Sequence, residues 1–99
     1  MDPGTDENFF KRADAHIDLA NRHLKDASRG KASASLMYAT ARFNAWLTAC
    51  EAASGDDLRS GKAESVEYFV SQYRAMLEEN LESYIENFDS YMRPVQGPR

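Results

Sequence analysis

The sequence predicts an all-α fold, an antiparallel three-helix bundle-like domain with a long third helix, and three observations predict it. Apolar residues recur in alternating steps of three and four along most of the chain. Only five Gly and three Pro interrupt its 99 residues, and turn-forming clusters at Ser28–Gly30 and Ser54–Gly61 divide it into three segments. The middle segment holds eight alanines between positions 31 and 53, the residue with the best helix propensity. A chain of this length serves one core, so residues 1–99 are read as one helical domain, ordered over about 6–92.

The first helix is expected near 6–27. Thr5 or Asp6 can cap it, and Asp6 and Glu7 place negative charge beside the exposed N–H groups of its first turn. Phe10, Ala13, Ile17, Ala20 and Leu24 form its apolar face. Ser28-Arg29-Gly30 should end it, with a glycine open to the left-handed conformation.

The second helix is expected near 32–53, with a seam of Leu36, Ala39, Phe43, Trp46 and Cys50 and with Leu47 beside it. Its alanines allow close approach on several faces, so it is read as the most enclosed helix. Ser54-Gly55-Asp56-Asp57 ends it. Two starts then remain open for the third helix. One is near Leu58, with Gly61 inside the helix at a cost of ~1 kcal/mol; the other is Lys62, capped by Ser60. The earlier start is preferred.

The third helix is expected near 57–92. Its apolar positions are Val66, Phe69, Val70, Tyr73, Leu77, Leu81, Tyr84, Ile85, Phe88 and Met92, and Pro94 and Gly97 bar its continuation. A helix over 62–92 would be roughly 45 Å long, against ~30 Å for the other two. Either it breaks, or its end overhangs and leaves Tyr84, Ile85, Phe88 and Met92 to be covered. The second case predicts a homodimer with those four residues at the interface.

Formal charge is −4, distributed as +1 over residues 1–50 and −5 over 51–99. No basic stripe is available for a polyanion, so nucleic-acid binding is not expected. Cys50 is the only cysteine, which excludes an intramolecular disulfide, and its alanine-rich setting suggests a small core residue. The acidic start MDPGTDENFF has no leader-like pattern and nowhere do 18 apolar residues run together. No membrane partner is therefore expected, and a cytoplasmic location is.

Two stretches resemble a known family. They are Leu36-Met37-Tyr38-Ala39-Thr40-Ala41-Arg42-Phe43-Asn44-Ala45-Trp46 and Tyr68-Phe69-Val70-Ser71-Gln72-Tyr73-Arg74-Ala75-Met76-Leu77-Glu78-Glu79-Asn80-Leu81. Together with Tyr84-Ile85-Glu86-Asn87-Phe88-Asp89, they resemble DUF3144, a family of short bacterial proteins of unknown function. The resemblance spans roughly residues 7–92. It implies a bacterial cytoplasmic protein, agrees with the helical reading, and transfers no catalytic or binding residue. Ser60-Gly61 is poorer in helix formers than is usual in such proteins.

The polar residues yield few candidates for chemistry. His16 and His23 share a face but lie ~10 Å apart along one helix, and Ala13 and Ala20 stand where a di-metal bundle would place glutamate. Glu79, Glu82 and Glu86 share a side of the third helix, as solvated carboxylates commonly do. Gly55 to Lys62 lacks the spacing, the following Ser/Thr and the preceding strand of a phosphate loop. Arg42 and Asn44 are the most informative polar residues, because among closely packed alanines they need hydrogen-bond partners.

The polar network or ligand contact expected from the sequence comprises Arg42, Asn44, Glu79, Glu82 and His16. No catalytic residue, cofactor or metal is assigned. The leading reading is a non-catalytic, self-associating structural or protein-interaction protein. The alternative is a small enzyme, or a small-molecule or metal-binding protein, whose pocket forms between subunits from Glu79, Glu82, His16 or Arg42.

Overall fold

The computed structural model describes residues 5–93. They form α1 (Phe9–His23), α2 (Arg29–Cys50), α3 (Gly55–Ser60), α4 (Lys62–Glu86) and α5 (Phe88–Met92). The all-α class holds, but the expected three-helix bundle is corrected. There are five helices among the described residues, of which α1, α2 and α4 have at least seven residues. The segment expected as one long third helix is three helices, interrupted at Gly61 and Asn87. The described chain divides into two compact units, with the boundary between Ala39 and Thr40 inside α2.

In the first unit, Asp6 shapes the entry to α1. Its carboxylate accepts the backbone N–H of Asn8 at 2.9 Å, and its carbonyl accepts that of Phe9 at 3.1 Å. Arg12 donates to the same carboxylate from one turn on, at 3.2 and 3.3 Å. Phe9, Ala13, Ile17, Ala20 and Leu24 are half-buried along one stripe, while Phe10 points out and is 71% exposed. The expected face is thus present, with Phe9 in the place given to Phe10. Ala32 of α2 is the one buried residue among those described.

Ser28 starts α2 instead of ending α1. Its hydroxyl accepts the N–H of Lys31 at 3.2 Å and its carbonyl accepts that of Ala32 at 3.0 Å. Gly30 therefore lies within α2, and no described glycine has a positive φ. The cap outcompetes the turn because it satisfies N–H groups that have no partner inside the helix.

In the second unit, Ser54 starts α3 by accepting the N–H of Asp57 at 3.1 Å, and the Asp57 carboxylate reaches back to the N–H of Ala53 at 2.8 Å. Gly61 closes α3 and opens α4. At the far end, Asn87 bonds the Ser83 carbonyl through its backbone at 3.0 Å and its side chain at 2.9 Å, and α4 stops. The chain then turns back. Tyr91 of α5 meets Tyr84 edge-on, with ring centroids 5.0 Å apart, and its hydroxyl lies 3.1 Å from that of Ser83.

Candidate interaction surface

The second unit covers the small and polar sides of its helices. On α2 the half-buried positions are Asn44 and Thr48, with Ala52 just beyond the helix end, four residues apart. The Thr48 hydroxyl donates to the Asn44 carbonyl at 2.8 Å, which satisfies it without water. On α4 the half-buried positions include Ser65, Phe69 and Gln72. A long apolar row of α4 lies elsewhere. Val66, Tyr73, Leu77 and Leu81 are 52%, 50%, 42% and 53% exposed, and Val70 belongs to the same row. Phe43 and Trp46 of α2 are also exposed, with ring centroids 5.4 Å apart.

Val66, Val70, Tyr73 and Leu77, followed by Asn80 and Tyr84, recur in steps of four and three. That is the seam of a heptad repeat on a helix. Beside it, Arg74 is exposed and has no carboxylate partner among the described residues, while Glu67 accepts only the Ser71 hydroxyl, at 3.1 Å. The ion pairs formed elsewhere are local and exposed: Arg12–Asp6, Arg59–Asp56 and Arg93–Asp89.

An open cleft of about 620 Å³ also lies within this unit. Leu47, Thr48, Glu51 and Ala52 form one wall, Asp57 and Leu58 its end, and Gly61, Glu64, Ser65, Tyr68 and Phe69 the other wall. Its polar groups are carboxylates and hydroxyls at the rim, with one of them, Asp57, committed to the α3 cap. Among the described residues no group of three or more His, Cys, Asp or Glu is arranged to hold a metal ion.

His16 is exposed on α1, in the first unit. Arg42 is exposed on α2, Asn44 is half-buried there, and Glu79 and Glu82 are exposed on α4. Cys50 ends α2 in an exposed position and is not a core residue. Of the four expected interface residues, Tyr84 and Met92 are half-buried, Tyr84 against the chain's own α5, while Ile85 and Phe88 are 66% and 61% exposed. Sequence reasoning took the row Val66–Leu81 for core. Of the half-buried positions, Phe69 carries a hydrophobic signal, while Asn44, Thr48, Ser65 and Gln72 carry none.

A family model described as "Protein of unknown function (DUF3144)" matches residues 9–85. The chain belongs to this family. The protein NB7890A from Shewanella sp., solved by NMR, is 35% identical, with a TM-score of 0.74 over 93% of this chain and 98% of that one. No curated protein matches. No described helix is long and apolar enough to cross a membrane.

Proposed function

We propose that this DUF3144 protein is a non-catalytic, self-associating interaction protein, with the exposed apolar side of α4 as its contact surface. One observation carries the reading. Val66, Val70, Tyr73, Leu77 and Leu81 form a continuous apolar row that remains exposed while the polar Ser65 and Gln72 of the same helix are half-buried. Contiguous exposed apolar surface of this kind marks an interaction site more often than it marks idle surface. Fully covering each such side chain is worth roughly 1.5–3 kcal/mol, so a handful suffices for micromolar association. Ile85 and Phe88 extend the same surface toward the C-terminus of α4. The proposal places the protein in the bacterial cytoplasm, the compartment in which a single exposed thiol such as Cys50 stays reduced.

Leu77→Asp tests the contact. The variant is expected to keep the helical circular dichroism of the parent and to sediment as a monomer at a loading where the parent is a dimer. A variant that sediments with the parent would contradict the proposed surface.

A further inference from the structure

The α4 seam is self-complementary in one orientation only. We infer that its occupant is α4 of a second copy of this chain, antiparallel to the first, with the two-fold axis near Ser71 and Gln72; this rests on the self-association reading above. In an antiparallel pair the first seam position of one helix meets the fourth seam position of the other. Setting Val70 against Tyr73 of the second copy places Val66 against Leu77 and Ala63 against Asn80. Each layer occurs twice by symmetry. The polar Asn80 thus faces the smallest residue of the seam, and its amide is already bonded to the Met76 carbonyl at 2.8 Å.

The flanks fix the orientation. In this register Glu67 of one copy lies beside Arg74 of the other, and symmetry makes the pair twice. Both are exposed, and Arg74 has no carboxylate partner among the described residues of its own chain. On the opposite flank Phe69 lies beside Met76, a favourable sulfur–aromatic pairing. A parallel pair would instead align the stretch 78–86 with itself. That stretch carries Glu78, Glu79, Glu82 and Glu86 with no basic residue, so four negative charges would run beside four. The antiparallel register sets its first turn, residues 78–81, against 62–65 at the start of the second α4, where Glu64 is balanced by Lys62, and leaves Glu82 and Glu86 beyond that helix. Sliding the antiparallel pair one heptad toward the C-terminus would bring Arg74 against itself. Charge complementarity selects the register with Glu67 beside Arg74.

Two charge-reversed variants of the full chain test this by sedimentation velocity. Glu67→Arg and Arg74→Glu should each weaken self-association by about tenfold or more, since each sets like charges together at two places. Their equimolar mixture should associate as tightly as the unmodified chain, because both flanking pairs then become attractive again. Recovery in the mixture also shows that neither variant is misfolded. A mixture that associates no better than either variant alone overturns the inference. If the chain dimerises but neither variant alters it, the register falls and self-association stands. If the unmodified chain is monomeric throughout, both readings fall.

Discussion

Asp6 shows how much a single exposed side chain decides at a helix entrance. It accepts the N–H of Asn8 and two contacts from Arg12, so its charged form is favoured over its neutral form. The backbone hydrogen bond, followed by the Arg12 side chain, holds its pKa below the ordinary aspartate value of 3.8. A group with a lowered folded-state pKa adds stability that is present above the unfolded value and lost as pH falls through the folded one. The α1 entrance should therefore loosen only in acid below 3.8. Carboxyl-detected NMR should give an Asp6 midpoint under that value, moving up toward it in Arg12→Gln; no movement would remove Arg12 from the account. Asp6 is readable from sequence as a residue for a helix start. The role of Ser28 is not, because Ser-Arg-Gly suits a turn as well as a cap, and only the backbone partners Lys31 and Ala32 decide between them.

At the scale of the elements, the breaks depend on glycine and asparagine. Gly61 has φ −98° and ψ 3°, and a methyl group there would meet nothing closer than the Asp57 carbonyl at 4.0 Å. It separates α3 from α4 through low helix propensity and the competing Ser54 cap, not through a backbone shape that only glycine adopts. Gly61→Ala should accordingly raise stability by about 0.4–1 kcal/mol through reduced freedom of the unfolded chain. A higher urea midpoint would bear this out, whereas a lowered one would show that the break itself stabilises the unit. Of the two starts left open for the third helix, Lys62 is the start of α4, with Gly61 and not Ser60 at its cap position, while the preferred start near Leu58 falls inside α3. Apolar periodicity locates α1, α2 and α4 and identifies the covered face of α1. On α4 it names Phe69, which is half-buried, but also Val66, Tyr73 and Leu77, which are exposed, and it misses Ser65 and Gln72, which are half-buried. Hydrophobic spacing reports which face avoids water; it does not report whether the cover comes from the same chain or from another.

For the whole molecule, that distinction is the central point. The expected overhang of a long third helix is replaced by a turn at Asn87, after which Tyr91 covers Tyr84. The apolar surface left for a partner lies along the middle of α4 and at Ile85 and Phe88. An antiparallel copy keeps the acidic end of α4 away from its own counterpart, which a parallel copy would not. The sequence names polar candidates such as His16, Arg42, Glu79 and Glu82 but does not relate them, because residues remote in sequence are brought together only by tertiary placement. The most direct test is sedimentation velocity of the unmodified chain over a dilution series from about 1 to 100 μM, the range in which modest affinities register. Self-association through α4 predicts a boundary that shifts from monomer to dimer as concentration rises. A monomer at every concentration would contradict it.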